Sequence, residues 1–173
     1  MTFPISLGPR LAAIYHQLLP QKPVWDLCCD HGYLGIHAYR SGLFQQVHFV
    51  DQVDEIINSL KEKFLRDQSQ PLIEPTPLFW TIDAKDLPSH VEGNLVIAGV
   101  GTSTIVAILD SLNSRSLLRA ERIILCPQKK PLNCIDQIQC LLGANYQLSH
   151  QSLVFEKHRH RHIFVFDRHP VDP

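Results

Sequence analysis

Apolar positions along the chain alternate between short continuous runs and stripes at helical spacing. Continuous runs predict buried parallel strands, whereas apolar residues three or four positions apart predict amphipathic helices. The predicted strands are 24–29, 47–50, 78–82, 94–98 and 122–126. The predicted helices are 7–19, 33–41, 53–66, 104–118 and 133–142. The connection 85–93 is too short for a full helix, and the polar, proline-rich stretch 67–77 predicts a loop.

The end of the chain has a different pattern. Two extended runs, 146–155 and 162–167, are separated by residues 156–161, and strands joined by a short connection pair antiparallel. The whole pattern predicts a Rossmann-like α/β fold, with a mostly parallel seven-stranded sheet, a C-terminal antiparallel hairpin and helices on both faces. The length of 173 residues predicts a single domain over 1–173. This layout is typical of class I methyltransferases and not of dinucleotide dehydrogenases.

The loop after the first predicted strand carries the main candidate site. It reads VWDLCCDHGYLG, which supplies Asp26, Cys28, Cys29, Asp30 and Gly32. A strand, tight loop and helix in succession is where α/β sheets bind nucleotide-like ligands. The loop lacks the G-x-G-x-x-G pattern of a pyrophosphate site, and its acidic residues favour a ligand with an amine and a sulfonium. The pattern therefore predicts S-adenosyl-L-methionine rather than NAD as the cofactor.

Further candidate cofactor contacts lie near the ends of other elements. Asp51, about twenty residues beyond the first loop, is placed either to bind ribose hydroxyls or to cap the next helix. Asp83 either meets an adenine edge or is a simple turn residue. Arg10, early in the first helix, is either solvated or in contact with the ligand's carboxylate or the acidic loop. The contacts predicted in addition to the first loop are Arg10, Asp51, Gln52, Asp83, Ala84, Ala98, Gly99, Val100 and Gly101.

One short segment is densely basic. Residues 157–162 read KHRHRH, and a solvated hairpin tip is the first interpretation. A rim that contacts phosphates and a site in which His158, His160 and His162 bind a metal are the alternatives, and we predict no metal site. Lys129 and Lys130 either join such a rim or form a solvated turn.

Composition narrows the remaining classes of protein. The net charge of −1 gives no general basic character, so nucleic-acid binding depends on a local patch. No apolar run approaches the roughly 20 residues of a membrane span, and the first residues lack the pattern of a signal peptide. The five cysteines form no C-x-x-C pair and predict buried, reduced thiols. We therefore expect a cytoplasmic protein that does not bind a membrane.

Four elements of the sequence resemble the bacterial tRNA (adenine-N1)-methyltransferase family that modifies the D arm. They read LGPRL, DLCCDHGYLG, IAGVG and LCPQ, and the family's patterns are close to LSxRL, DIGSDHAYLP, IAGMGG and LQP. The resemblance runs from about Leu7 to Arg168, with D-H-x-Y-L as its most specific part. The sequence lacks the C-terminal helical extension of that family. Cys28 replaces a loop glycine, Gly35 a proline and Thr102 the second glycine of the fourth-strand loop. Because Cys28 is not glycine, we expect no glycine-only backbone conformation there.

The resemblance implies methyl transfer from S-adenosyl-L-methionine to adenine N1, with tRNA as the partner. Adenine N1 has its own lone pair, so positioning is the main catalytic task. We predict Asp30 as the carboxylate that favours the positive charge of the methylated adenine, with Tyr33 stacking or hydrogen bonding. The alternative is that Asp30 only orders the loop or holds the methionine amine. A methyltransferase of a small molecule or protein, and a non-catalytic cofactor-binding module, remain the competing functions.

Overall fold

The computed structural model describes residues 6–66, 74–128 and 135–169, and a seven-stranded sheet lies at its centre. The parallel strands are β1 (Val24–Leu27), β2 (Val47–Asp51), β3 (Leu78–Thr81), β4 (Asn94–Ala98) and β5 (Arg122–Cys126). The last two strands are β6 (Tyr146–Glu156) and β7 (Arg159–Arg168), and β7 pairs antiparallel with both β5 and β6. The order β3-β2-β1-β4-β5-β7-β6 places the topological switch point between β1 and β4. The fold class predicted from the sequence is confirmed.

In the described part of the chain, five α-helices cover the two faces of the sheet. They are α1 (Pro9–Tyr15), α2 (Tyr33–Ser41), α3 (Asp54–Arg66), α4 (Thr102–Ser114) and α5 (Ile135–Leu142). Helices α1 to α3 contribute to one buried apolar cluster, whereas α4 and α5 contribute to the other. Alternate residues of each central strand enter the two clusters, as the period of a strand requires. Only a short 3₁₀ turn, Ala84–Asp86, lies between β3 and β4, as predicted.

Helix α1 ends earlier than its apolar spacing predicts, and a buried asparagine explains why. Asn94, at the start of β4, is fully buried, and its side-chain oxygen accepts a hydrogen bond from the N–H of Leu19 over 2.7 Å. Its amide group donates to the carbonyls of Leu19 and Pro23. These bonds hold the chain before β1 in a turn, and the predicted helix 7–19 therefore stops at Tyr15.

The ends of two other elements differ from the prediction. Helix α4 begins at Thr102, two residues before the predicted start, because Gly101 already serves as its N-cap. It ends at Ser114, since Leu118 pairs instead with Val91 in an isolated parallel bridge. The predicted connection 156–161 is in fact a two-residue turn at Lys157 and His158, both with positive φ, which is the conformation of a tight hairpin.

Most of the described cysteines are buried or half-buried, as the sequence predicts. Cys29 and Cys126 are buried thiols and Cys28 is half-buried, but the prediction is wrong for Cys140, which is exposed on α5. Cys134 lies outside the described residues. Within the described ranges, no helix has both the length and the apolar character that a membrane crossing requires.

Candidate cofactor and substrate site

Three cavities meet at the carboxyl ends of the parallel strands. The large cavity, about 670 Å³, lies beyond β1, β2 and β4 and is lined by Asp51 and Asp83 among others. The loop cavity, about 140 Å³, lies around the loop after β1 and is lined by Asp26 and Gly32. The hairpin cavity, also about 140 Å³, lies between the end of β5 and the tip of the β6–β7 hairpin. Gly99 lines all three, so the cavities adjoin one another at the end of β4.

The structure brings together nearly all residues that the sequence predicts as cofactor contacts. Cys28, Asp30 and Gly99 line both the large and the loop cavity. The other predicted contacts in the large cavity are Asp51, Gln52, Asp83, Ala84 and Val100. Those in the loop cavity are Arg10, Asp26, Cys29, Gly32 and Ala98. Gly101 lines none of the three cavities, and its role in the structure is the N-cap of α4.

The loop after β1 turns sharply through left-handed backbone conformations. The φ angles are +57° at Cys28, +49° at Asp30 and +66° at Gly32. Side chains disfavour this region but are not barred from it, so a cysteine can stand at the family's glycine position. The N–H of Gly32 donates to the carbonyl of Cys29 over 2.8 Å and closes the turn. Burial raises the pKa of Cys28 to about 11, so this thiol faces the ligand in its neutral form.

Asp51 has a structural role in addition to its place in the large cavity. One of its carboxylate oxygens accepts the backbone N–H of Asp30 over 3.2 Å, and the other accepts the N–H of Val53 over 3.1 Å. The second bond resembles the capping interaction that the sequence offers as the alternative to ribose binding. Asp51 is 9% exposed, so a ligand in the large cavity would meet an oriented carboxylate. Binding of ribose hydroxyls stays a prediction.

Asp26 is a buried carboxylic acid at the site with a strongly shifted pKa. Its carboxylate is buried and accepts the backbone N–H of Gly35 over 3.1 Å. Burial raises its pKa to about 7, although this hydrogen bond and the positive charge of Arg10 act in the opposite direction. A proline at position 35 could not donate this bond.

There is also no room for a side chain at position 35. A Cβ atom on Gly35 would lie 2.4 Å from the ring of Phe49 on β2. Helix α2 therefore packs closely on the sheet at this point, which holds its first turn directly behind the loop cavity.

The structure also settles the immediate surroundings of Asp83. Its carboxylate accepts the backbone N–H of Lys85 over 3.0 Å and lies 3.1 Å from the Nζ atom of the same lysine. Asp83 is therefore the N-cap of the short 3₁₀ turn, as the turn interpretation predicts, and it lines the large cavity as well. Contact with an adenine edge stays a prediction.

Arg10 is neither freely solvated nor paired with the acidic loop, which corrects two of its predicted roles. Its Nε atom lies 3.2 Å from a carboxylate oxygen of Glu156, at the end of β6, and its side chain is 22% exposed. The backbone N–H of Arg10 is 3.4 Å from the other oxygen of Glu156. The pair lies where the loop and hairpin cavities adjoin, and contact between Arg10 and a ligand carboxylate stays a prediction.

Asp30 and Tyr33, the predicted catalytic residues, lie at the rim of the loop cavity. The Asp30 side chain is 71% exposed, and Tyr33 is 46% exposed. The carboxylate of Asp30 is not what orders the loop, because the bond to Asp51 uses the backbone N–H of Asp30. An exposed carboxylate beside an exposed aromatic ring is available to a second ligand that approaches from solvent.

Sequence reasoning missed one wall of the site and offered another only as an alternative. Residues of α4 line the large cavity, among them Ser103, Thr104 and Ala107, and the glycine loop before this helix was the available signal. The hairpin tip contributes Lys157 and Arg161 to the hairpin cavity, which supports the rim interpretation of the basic run. His158 lies in the turn and not on a strand face with His160 and His162, and Lys129 and Lys130 lie outside the described residues.

Comparison with known proteins identifies the family. The sequence profile of the methyltransferase domain family matches residues 7–164. The chain belongs to this family. A curated relative of the methyltransferase domain, ribosomal RNA large subunit methyltransferase G of Shewanella frigidimarina, is 36% identical over 89 residues. That match covers 44% of the chain and 23% of the relative's own length.

Solved structures share the fold of this methyltransferase domain. The M. capricolum protein TrmK, in complex with S-adenosyl-homocysteine, has a TM-score of 0.76 at 14% identity, over 94% of this chain and 69% of its own. The B. subtilis M1A22 tRNA methyltransferase TrmK has a TM-score of 0.73 at 20% identity, over 95% of this chain and 67% of its own. Magnesium protoporphyrin IX methyltransferase from Synechocystis PCC 6803, with bound S-adenosyl-homocysteine, has a TM-score of 0.68 at 15% identity. The match covers 92% of this chain and 82% of that protein.

These identities are low, so the structural neighbours show the fold alone. Family membership and the cofactor product bound in two of these neighbours agree with S-adenosyl-L-methionine, the cofactor that the sequence predicts. The same neighbours include proteins whose names refer to tRNA and to a porphyrin. The fold by itself therefore does not choose the acceptor of the methyl group.

Proposed function

We propose that this methyltransferase domain transfers a methyl group from S-adenosyl-L-methionine to N1 of an adenine in tRNA. The observation that carries the proposal is the arrangement of the large and loop cavities, which share Cys28, Asp30 and Gly99. A nucleoside in the large cavity and an amino-acid moiety in the loop cavity would meet at these three residues. Asp30 and Tyr33 lie at the rim beside this junction.

The residues present suit this cofactor. The large cavity has ample volume for a nucleoside and offers the oriented carboxylate of Asp51 to ribose hydroxyls. Asp26 lines the loop cavity, where its carboxylate would attract an ammonium group. Neither the loop after β1 nor the loop after β4 has the G-x-G-x-x-G pattern of a pyrophosphate site. The acidic character therefore favours S-adenosyl-L-methionine over a dinucleotide.

The chemistry places modest demands on the protein. When bound, S-adenosyl-L-methionine supplies an electrophilic methyl group, which the N1 lone pair displaces from sulfur. No base has to activate N1, so the task of the chain is to hold donor and acceptor in line, an effect worth up to roughly 7–11 kcal/mol. The positive charge moves from the sulfonium to the adenine, and the carboxylate of Asp30 at the rim favours it there.

An RNA acceptor is supported by the surface next to the rim. Lys157 and Arg161 line the hairpin cavity, and positive side chains attract a phosphate backbone. Tyr33 presents nearly half of its surface to solvent, and an exposed aromatic ring can stack on a base that has left its helix. The B. subtilis M1A22 tRNA methyltransferase TrmK, which has the same fold, supports the assignment to adenine N1 of tRNA by analogy.

The test is direct methyl transfer. The purified chain is incubated with radiolabelled S-adenosyl-L-methionine and unmodified tRNA transcripts, and the nucleosides are identified by mass spectrometry. We expect N1-methyladenine, with strongly reduced formation by Asp30→Asn. Glu92→Gln is the matched control, because Glu92 is exposed two residues before β4, at the amino ends of the parallel strands.

The two competing functions give different results in the same experiment. Cofactor binding together with methyl transfer only to small molecules would replace the RNA assignment. Tight cofactor binding without transfer to any acceptor would identify a binding module. N6-methyladenine or a methylated ribose as the sole product would contradict the proposed position.

A further inference from the structure

We propose that the hairpin cavity binds a phosphate group of the acceptor substrate, with Arg161 and Lys157 as its ligands. The inference rests on the proposed function in that it assigns part of the acceptor to this cavity. It extends that function by naming the chemical group that the cavity recognises and the residues that bind it.

The charges in the hairpin cavity do not balance. Arg10 lines it together with Glu156, and the two form an ion pair with Nε and Oε2 3.2 Å apart. Arg10 and Glu156 therefore neutralise each other. Lys157 and Arg161 line the same cavity and have no ion-pair partner among the described residues. The cavity thus has two uncompensated positive charges, which favour an anionic ligand.

Arg161 is held in place on one side and unsatisfied on another. Its Nη1 atom donates to the backbone carbonyl of Gln128 over 3.3 Å, which fixes the position of the guanidinium on β7. Its Nε atom is buried and has no hydrogen-bond partner within the described part of the chain. A buried N–H without an acceptor is unfavourable. A small rotation of the guanidinium would bring this N–H to an acceptor oxygen of a ligand in the cavity.

Phosphate is the group that best matches these donors. The planar guanidinium presents parallel N–H groups that match two oxygens of a phosphate, and a lysine ammonium adds a point charge. The cavity of about 140 Å³ has room for such a group, since one water molecule occupies about 30 Å³ in the liquid. A metal ion is disfavoured by the same positive charges.

The position of the cavity connects the phosphate to the reaction. The hairpin cavity shares Arg10, Gly99 and Gln128 with the loop cavity, at whose rim Asp30 and Tyr33 lie. A phosphate bound by Arg161 would therefore hold the backbone of an acceptor nucleotide beside the rim while its base reaches Tyr33. Either RNA or a free nucleotide can supply such a phosphate.

The experiment measures acceptor binding separately from methyl transfer. Binding of a labelled tRNA transcript, and of adenosine 5′-monophosphate against adenosine, is measured in the presence of S-adenosyl-homocysteine. We expect Arg161→Gln and Lys157→Gln each to weaken RNA binding about tenfold. Each should also reduce the slope of log affinity against log salt concentration by about one. We also expect the monophosphate to bind more tightly than adenosine to the unaltered protein and to lose this advantage in Arg161→Gln.

Arg159→Gln is the matched control, because Arg159 is exposed on the same strand, two residues away, and does not line the cavity. Affinity for S-adenosyl-homocysteine is measured for every variant as the test of folding, and Lys157, exposed in the turn, provides a second variant should Arg161→Gln unfold. Binding of the monophosphate without binding of RNA would support the phosphate site with a free nucleotide as its source.

Equal effects of Arg161→Gln and Arg159→Gln, or no preference for the monophosphate in the unaltered protein, would overturn the inference. These outcomes are distinct from failure of the proposed function. Formation of N1-methyladenine with an unaffected Arg161→Gln variant removes only the phosphate site. Absence of methyl transfer to tRNA leaves the nucleotide-binding result intact.

Discussion

The carboxylate of Asp51 accepts a hydrogen bond from the backbone N–H of Asp30 over 3.2 Å, which ties the end of β2 to the loop after β1. Its second oxygen accepts the N–H of Val53, immediately before α3. The same side chain lines the large cavity. Asp51 therefore fixes the shape of the cofactor loop and also presents a charge to the ligand, so its two effects have to be separated by substitution.

We expect Asp51→Ala to weaken binding of S-adenosyl-homocysteine at least tenfold, or about 1.4 kcal/mol, as measured by calorimetric titration. It should also lower the free energy of unfolding by about 1 kcal/mol, because two backbone N–H groups lose their acceptor. Asp51→Asn keeps one acceptor oxygen and should recover stability more than affinity. An affinity unchanged in Asp51→Ala, with Glu92→Gln as reference, would remove Asp51 from the cofactor site.

Because of Asp26, the free energy of unfolding should fall as the pH rises from about 4 to about 7. Its pKa of about 7 in the folded state lies above its ordinary value of 3.8, because burial disfavours the charged form. Between these values the folded protein holds a proton that the unfolded chain has released. The contribution of Asp26 to stability is therefore complete below about pH 4 and is lost as the pH rises to about 7.

The check is urea denaturation of the unaltered protein and of Asp26→Asn at pH 5 and pH 7. The asparagine keeps an acceptor for the N–H of Gly35 and has no carboxylate to ionise. We expect the variant to gain stability relative to the unaltered protein as the pH is raised across this interval. Parallel pH profiles of the two proteins would mean that Asp26 titrates normally.

His48 should have the opposite effect in the same interval. Its ring stacks on Trp25, with centroids 3.6 Å apart, and its Nδ1 atom accepts the indole N–H of Trp80 over 3.2 Å. Burial lowers its pKa to about 4, so the unfolded chain binds a proton that the folded protein does not. Stability is lost as the pH falls from about 6.5 towards 4.

We expect His48→Phe, which keeps the stacking on Trp25, to abolish this loss of stability at low pH. The chain has two tryptophans, and both contact His48, so tryptophan fluorescence during urea unfolding reports directly on the substituted position. Relative to the unaltered protein, Asp26→Asn and His48→Phe should change the pH slope of stability in opposite directions. Changes in the same direction would contradict the assignment of at least one of these groups.

Tyr33 should matter for the acceptor and not for the cofactor. It is 46% exposed at the start of α2, with the Nζ atom of Lys63 5.7 Å from the centre of its ring. Stacking of a base on an aromatic side chain contributes about 1–3 kcal/mol. We therefore expect Tyr33→Ala to lower kcat/KM for tRNA roughly 5- to 150-fold with unchanged affinity for S-adenosyl-homocysteine.

Tyr33→Phe distinguishes the two predicted roles of this side chain, because it should retain activity if the ring stacks and lose it if the hydroxyl donates. Leu43→Ala is the control, since Leu43 is 53% exposed just beyond the other end of the same helix. A loss of cofactor affinity in Tyr33→Ala would place this residue in the loop cavity's ligand set instead.

The sequence predicts well those elements whose burial is uniform. Strands β4 and β5 begin and end at the predicted residues, because both are central and covered on both faces. The end of α1 could not be predicted, since it depends on the buried side chain of Asn94, more than seventy residues away. The hairpin turn at Lys157 and His158 lacks the glycine and asparagine that normally mark such turns.

The same distinction applies to the site. Residues at strand ends, such as Asp51 and Gly99, were predictable because parallel strands bring their carboxyl ends to one edge. The hairpin cavity could not be predicted from the sequence. It depends on the pairing of Arg10 with Glu156 and on which residues of β7 face the end of β5. No local pattern specifies which distant segment supplies the partner of a charged side chain.

The ion pair between Arg10 and Glu156 spans 146 positions in the chain, which has a consequence for synthesis on the ribosome. A chain is made from its N-terminus at about 5–20 residues per second. Helix α1 and the first strands can emerge and fold early, whereas the wall formed by the hairpin exists only after residues 156–161 have left the exit tunnel. The hairpin wall is therefore the last part of the site to form during synthesis.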